Sequence, residues 1–160
     1  MVNKKFNFIA EISANHNGSL SKAKKLIKTA KENGADSVKI QIYEPDDMTI
    51  DSKLNHYKIK HGLWKNYYLY DLYKKAHTPR KWFKSLFNYS KKIGIQLFTS
   101  VFDIETVDFL EKNNCPIYKI ASFEITDIPL IKYVASKGKP IIISTGIAEV
   151  KDIELAIETC

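Results

Sequence analysis

The chain has 160 residues, of which 44% are hydrophobic and 12% aromatic, and this is enough apolar material for one folded domain. Its net charge of +7 favours anionic partners, but the cations are mostly scattered lysines without an arginine-rich stripe, which argues against nucleic-acid binding. No apolar run reaches the length of a membrane span, and Cys115 and Cys160 lack metal or disulfide spacing, which favours a cytoplasmic protein with no membrane partner.

Predicted strands and helices alternate along the chain. Strands are expected at residues 6–12, 37–43, 95–99, 117–120 and 140–144. Apolar residues at helical spacing follow each strand: the first helix should stop at Gly34, the second should open with Thr78 as N-cap and Pro79 at its first position, and the third should be capped by Asp103. Residues 44–77 form a long excursion rich in aromatic side chains, which we expect to pack rather than to bind a sugar.

Five successive β-then-α units predict a parallel sheet, which both doubly wound sheets and eight-fold barrels satisfy. The turn after the first strand is not a Gly-rich dinucleotide turn, which favours the amino-terminal part of a TIM-type (β/α)8 barrel. Such a barrel needs roughly 250 residues, and the chain ends within a predicted helix. We therefore expect residues 1–160 to form an incomplete barrel domain that lacks about three units.

Polar side chains gather where the predicted strands end, at the edge where parallel α/β folds bind ligands. They are Glu11, Asn15, Lys39, Gln41, Thr99, Ser100, Lys119, Ser122, Glu124 and Ser144.

Lys39 and Lys119 are the most informative of these residues, because each lies between apolar neighbours in a strand that should be covered on both faces. A buried ammonium needs a negative partner, which either a carboxylate such as Glu11 or Glu124 or a bound ligand can supply. Two lysines with several hydroxyls on one rim favour an anion site. The four histidines are not spaced as metal ligands.

Several of these residues also lie in motifs that resemble the sialic acid synthase family: IAEI at 9–12, NHNG at 15–18, ADSVKIQ at 35–41, YKIAS at 118–122 and IISTG at 142–146. Within that family, YDLY at 70–73, AHTP at 76–79 and SFEITD at 122–127 are most similar to the pseudaminic acid synthase branch. The likeness extends from Phe6 to Cys160.

The resemblance implies an enzyme that condenses phosphoenolpyruvate with an open-chain diacetamido trideoxy hexose and releases phosphate by C–O cleavage. It implies that Lys39, Ser100, Lys119, Ser122 and Ser144 hold phosphoenolpyruvate. Glu11 and Glu124 are then the candidate catalytic residues, Gln41 faces the sugar, and Asn15 is a further candidate for substrate binding.

The resemblance also implies a divalent metal (Mn or Mg) whose histidine ligands belong to later strands, a carboxy-terminal antifreeze-like domain and a homodimer, none of which these 160 residues supply. Val101 stands where the family usually has proline. Three alternatives remain open: an N-acetylneuraminate or legionaminate synthase, an aldolase that forms a Schiff base through Lys39 or Lys119, and a non-catalytic anion-binding fragment.

Overall fold

A computed structural model describes residues 6–160. Five strands form one parallel sheet in the order β1-β2-β3-β4-β5, so each strand pairs with the one before it in the sequence. A doubly wound sheet reverses its order at a switch point, whereas a barrel does not. The structure therefore confirms five βα units of a (β/α)8 barrel. The strands are β1 (Ile9–Glu11), β2 (Ser37–Gln41), β3 (Gln96–Val101), β4 (Tyr118–Ile120) and β5 (Ile141–Ile143).

The main helices follow the strands as expected, and two short ones lie in the long excursion after β2. They are α1 (Leu20–Glu32), α2 (Pro45–Met48), α3 (Leu69–Ala76), α4 (Phe83–Ile93), α5 (Ile104–Lys112), α6 (Ile128–Ala135) and α7 (Val150–Thr159). Asp103 caps α5 as predicted, since its side chain accepts a hydrogen bond from the Thr106 amide at 2.8 Å. None of the helices within residues 6–160 is long and apolar enough to cross a membrane.

Alternation along the strands decides which side chains form the core and which reach the barrel interior. On β2 and just beyond it, Val38, Ile40 and Ile42 are at most 1% exposed. Their alternate neighbours Lys39 and Gln41 are only partly buried and point to the other face. The buried face belongs to one hydrophobic cluster that includes Ala23 and Ile27 of α1 and Phe83 and Leu86 of α4. This packing places the lysines on the ligand side.

All five strands differ from their predicted bounds by at least one residue, and the first strand and the start of α4 differ most. The first strand is shorter than residues 6–12, because the Phe8 amide donates to the Asp36 carboxylate at 2.8 Å instead of to a strand neighbour. Thr78 does not cap a helix. Pro79 has the extended backbone angles φ −56° and ψ 134°, a 3-10 turn at Arg80–Trp82 intervenes, and α4 begins only at Phe83. The Thr78 hydroxyl instead contacts the His16 ring.

Arg80 ties the long excursion to the start of α5. Its guanidinium lies 3.8 Å from a Glu44 oxygen, 3.4 Å from Asp47 and 3.5 Å from Asp103, and it donates to the Thr106 hydroxyl at 2.8 Å. Burial raises the pKa of the Asp47 carboxyl, and Asp103 raises it further, while the Glu44 amide and Arg80 oppose this. Glu105 also lies 3.8 Å from the guanidinium, so one cation holds four carboxylates from two segments that are far apart in the sequence.

Candidate anion-binding site

The first part of the site lies at the carboxyl ends of β1, β2 and β3. Lys39 forms an ion pair with Glu11, its register partner on β1, and donates to the Ser100 hydroxyl at 3.2 Å. Only 15% of the Lys39 side chain is exposed, against 41% for Glu11. Both predicted partners of this lysine, a carboxylate and a hydroxyl, are therefore present, and Glu11 satisfies the charge of Lys39 in the absence of a ligand.

The second part lies on β4 and β5. Lys119 is aligned with Ser100 across the β3–β4 ladder, so the Ser100 hydroxyl lies between the two lysines. The Lys119 ammonium donates to the Ser144 hydroxyl at 2.5 Å and to the backbone carbonyl of Ile120. Unlike Lys39, it has no ion pair with a carboxylate within residues 6–160. Two cations and two hydroxyls thus meet on one rim.

Electrostatics make Lys119 receptive to an anion. The pKa of its ammonium is lowered to about 8, chiefly by burial and secondly by the charge of Lys39, while Glu124 and Glu11 act in the opposite direction. The negative charge of a bound phosphate or carboxylate would compensate both for the burial of the Lys119 ammonium and for its repulsion by Lys39.

Glu124 lies on the 3-10 turn Phe123–Thr126 that follows β4. Burial raises the pKa of its carboxyl, partly offset by its backbone hydrogen bond and by Lys119. One of its carboxylate oxygens, Oε2, is buried and has no hydrogen-bond partner within the described residues. Glu124 shares the lining of a cavity of about 320 Å³ with Gln41 and Ser122. The structure therefore brings these three candidate residues together beside the lysines.

Ser122 is held by the loop after β5. Its Oγ accepts a hydrogen bond from the Ile147 amide at 3.2 Å, which leaves the hydroxyl hydrogen free to donate. Gly146 lies so close that a Cβ atom there would approach Ser122 Oγ to 3.1 Å. Sequence reasoning singled out Ser122 and Ser144 but missed the positioning role of Gly146, because the contact joins two loops that are 24 residues apart.

We expect Gly146→Ala to weaken anion binding by about three- to tenfold, since the added methyl group displaces the Ser122 hydroxyl by a few tenths of an ångström. The Kd for phosphoenolpyruvate, measured by titration calorimetry on the intact gene product, tests this. In a Ser122→Gly background the same change should have little effect, because the clashing atom is gone. An equal loss in both backgrounds would contradict the positioning role.

The other polar loop residues contribute differently. Asn15 is exposed, and within residues 6–160 its side chain makes no hydrogen bond to the other candidates, so its predicted role in substrate binding stays a prediction. His16 is 1% exposed and lies edge-on to Trp82. Its Nδ1 accepts from the Gly18 amide, so Nε2 carries the proton and donates to Thr78 at 3.1 Å. His16 thus links the loop after β1 to the segment that directly precedes α4.

The family resemblance implies a divalent metal, which needs several carboxylate, imidazole or thiolate ligands that converge on one point. Within residues 6–160 no three His, Cys, Asp or Glu side chains converge as ligands. Glu11 is already paired with Lys39. The described residues do not fit a metal by themselves.

A family model decides the relationship: the NeuB family matches residues 26–160. The chain belongs to the NeuB family. Pseudaminic acid synthase of Helicobacter pylori is 46% identical over 152 residues, covering 95% of this chain and 45% of that protein. N,N'-diacetyllegionaminic acid synthase of Campylobacter jejuni is 38% identical over 155 residues, covering 96% of this chain and 46% of that protein. The chain thus spans about half the length of these NeuB-type relatives.

A solved structure agrees with this membership. The N-acetylneuraminic acid synthetase of Leptospira borgpetersenii, determined with citrate, superimposes with a TM-score of 0.84 at 29% identity, covering 98% of this chain and 50% of that one. The resemblance inferred from the strand-end motifs is confirmed.

Proposed function

We propose that the intact gene product condenses phosphoenolpyruvate with an open-chain diacetamido trideoxy hexose to give pseudaminic acid. The observation that carries the proposal is the juxtaposition of Lys39, Ser100, Lys119 and Ser144 on one rim. Membership of the NeuB family and the 46% identity to a pseudaminic acid synthase support the choice of reaction. The 160 residues would supply the half of the site that binds phosphoenolpyruvate.

The proposed reaction consumes one water molecule and needs no oxidant. The vinyl carbon C3 of phosphoenolpyruvate forms a C–C bond to the sugar aldehyde, and the aldehyde oxygen takes up a proton. Positive charge develops at C2, where water adds and loses a proton. The C2–O bond to phosphate then breaks, which leaves a 2-keto acid and inorganic phosphate.

Each candidate side chain has a place in that scheme. Lys39, Lys119 and the hydroxyls of Ser100, Ser122 and Ser144 would hold the phosphate and carboxylate oxygens. Glu11 would stabilise the positive charge at C2 through its carboxylate. Glu124, whose carboxyl has a pKa raised by burial, would face the sugar aldehyde and the reacting carbons. Gln41 would orient the sugar.

An isotope experiment tests the reaction class. Phosphoenolpyruvate labelled with ¹⁸O at the bridging oxygen is incubated with the sugar, Mn²⁺ and the intact gene product. Cleavage of the C–O bond sends the label into inorganic phosphate, as we expect. Unlabelled phosphate would indicate P–O cleavage and contradict the synthase assignment. The 160-residue chain in the same assay tests whether this part alone turns over or only binds the anion.

A Schiff-base aldolase is the second candidate, and one observation favours it: the lowered pKa of Lys119, about 8, is a property that amine nucleophiles need. Borohydride reduction in the presence of a keto acid would trap such an intermediate as a mass increase on Lys119. We expect no adduct, because the Lys119 ammonium is already engaged by Ser144.

A further inference from the structure

Ser13 lies two residues after the candidate catalytic residue Glu11 and is bonded to it twice. Its backbone amide donates to Glu11 Oε1 at 2.8 Å, and its hydroxyl donates to the same oxygen. The other oxygen, Oε2, forms the ion pair with Lys39. The Glu11 carboxylate is therefore divided between two neutral donors on one side and a cation on the other. Ser13 falls between the sequence motifs at 9–12 and 15–18, so neither of them singled it out.

The backbone of Ser13 has a conformation that few side chains adopt. Its φ of 26° lies in the left-handed region, which is uncommon for residues other than glycine. Strained residues of this kind persist only where their surroundings over-determine them, and they cluster at functional sites. Ser13 begins the 3-10 turn Ser13–His16 directly beyond β1. The strained residue thus lies where β1 presents Glu11 to the rim.

Contacts on both sides of Ser13 hold this conformation. Before it, the Ile12 amide donates to the Lys39 carbonyl at 3.1 Å and extends the pairing of β1 with β2 by one residue. After it, the ring of the buried His16 is hydrogen-bonded through both of its nitrogens. These bonds fix the chain at either end of the turn, so the amide and hydroxyl of Ser13 stay directed at Glu11.

The double contact matters when an anion enters the site. Lys39 would then share its charge with phosphoenolpyruvate, and its pairing with Glu11 would weaken. A carboxylate without a fixed partner samples several rotamers. The two donors of Ser13 do not depend on the ligand and would keep Glu11 in one orientation. A charge that is oriented beforehand stabilises a transition state without reorganisation, which is what the role of Glu11 at C2 requires.

We propose that Ser13 is the positioning residue for Glu11: it keeps the carboxylate oriented toward C2 when phosphoenolpyruvate draws Lys39 away. This role rests on the proposed function, because it assumes that Glu11 acts on the reacting carbon. Loss of the Ser13 hydroxyl should therefore reduce turnover rather than affinity, because its bond goes to Glu11 and not to the lysines that hold the anion.

Two variants of the intact gene product separate the hydroxyl from the backbone. Ser13→Ala removes the hydroxyl and keeps the strained φ, whereas Ser13→Gly removes the hydroxyl and relieves the strain. With phosphoenolpyruvate, the diacetamido trideoxy hexose and Mn²⁺, we expect the single-turnover rate of phosphate release to fall about tenfold in both. The Kd for phosphoenolpyruvate, from titration calorimetry without the sugar, should change by less than about twofold. Ser13→Gly should resist urea better than Ser13→Ala and yet be no more active, which a merely structural role would not produce.

Two controls separate positioning from general damage. Ser136→Ala removes an exposed hydroxyl that also donates to a nearby oxygen, the Tyr133 carbonyl, and should leave the rate unchanged. In a Glu11→Gln background, Ser13→Ala should lower the rate by less than a further factor of about two, because the carboxylate that it orients is gone.

Three results would overturn the positioning role while the synthase assignment stands. They are a wild-type rate in Ser13→Ala, a loss of phosphoenolpyruvate affinity as large as the loss of rate, and a tenfold loss of rate that persists in the Glu11→Gln background. Phosphoenolpyruvate binding without phosphate release by the unmodified gene product would overturn both.

Discussion

Replacing Lys119 with methionine should weaken phosphoenolpyruvate binding by about 100-fold, or about 2.7 kcal/mol, which is within the range for hydrogen bonds to charged groups. Lys119 donates to Ser144 and is aligned with Ser100, so its charge lies at the centre of the proposed oxygen-binding groups. Methionine keeps the length of the side chain and removes only the cation. Titration calorimetry on the intact gene product gives the Kd directly.

The same variant should not be unfolded. A half-buried ammonium whose pKa is lowered by burial destabilises the folded state, so its removal should leave the free energy of unfolding unchanged or raise it. Lys132→Met, on the exposed face of α6, serves as the matched control and should bind with wild-type affinity. Unchanged affinity in Lys119→Met would count against the whole site.

The affinity should also depend on pH in a defined direction. The anion binds the protonated form of Lys119, which the free protein loses as the pH rises through about 8. The Kd should therefore be nearly constant from about pH 7 to 7.5 and rise about tenfold per pH unit above 8, with proton uptake on binding. This dependence should be absent in Lys119→Met.

Arg80→Met should lower the free energy of unfolding by about 2–3 kcal/mol, somewhat less than the 3–5 kcal/mol typical when one partner of a fully buried ion pair is removed. The change leaves four carboxylates without their shared cation and takes a donor from Thr106; they belong to Glu44, Asp47, Asp103 and Glu105. The side chain of Arg80 is 25% exposed, which is why the effect is smaller. Urea unfolding of the intact gene product measures it.

Acid should partly reverse the effect of Arg80→Met. Burial and Asp103 already raise the pKa of the Asp47 carboxyl, and removal of the guanidinium takes away a charge that opposes them. Part of the destabilisation at neutral pH should therefore be lost as the pH falls and this carboxyl is protonated. The exposed neighbour Lys81, changed to methionine, provides the control and should alter stability by less than about 0.5 kcal/mol. A loss for Arg80→Met that is the same at pH 4 and pH 7 would contradict this electrostatic account.

Much of the sheet could be predicted from the sequence because period-2 alternation is local. Val38 and Ile40 flank Lys39, and this pattern alone places the lysine on the opposite face from the core. The first strand was predicted too long because Phe6 and Phe8 are apolar, although they are 72% and 63% exposed. Their side chains satisfy the strand pattern, but the Phe8 amide finds the Asp36 carboxylate instead of a strand partner.

Contacts between distant segments had no such local signal. The sequence Thr78-Pro79 is typical of a helix start, but the Thr78 hydroxyl is taken by His16, 62 residues earlier. The four carboxylates around Arg80 come from the excursion and from the start of α5, with no common motif. The strand-end lysines and hydroxyls were found because parallel strands bring their carboxyl ends to one edge. The cavity beside them had no such signal, because its aromatic lining residues Tyr43, Tyr73, Phe102 and Phe123 come from four separate segments.

The consecutive pairing of the strands has a consequence for how the chain folds. Each of β2 to β5 can dock on a sheet edge that the preceding βα unit has just completed, so each of these four strands finds one partner that is already synthesised. The anion-binding groups are assembled in the same order: Glu11 with Lys39, then Ser100, and finally Lys119 with Ser144. The mutually repulsive ammonium groups thus meet only after a carboxylate and a hydroxyl are already in place to receive the first of them.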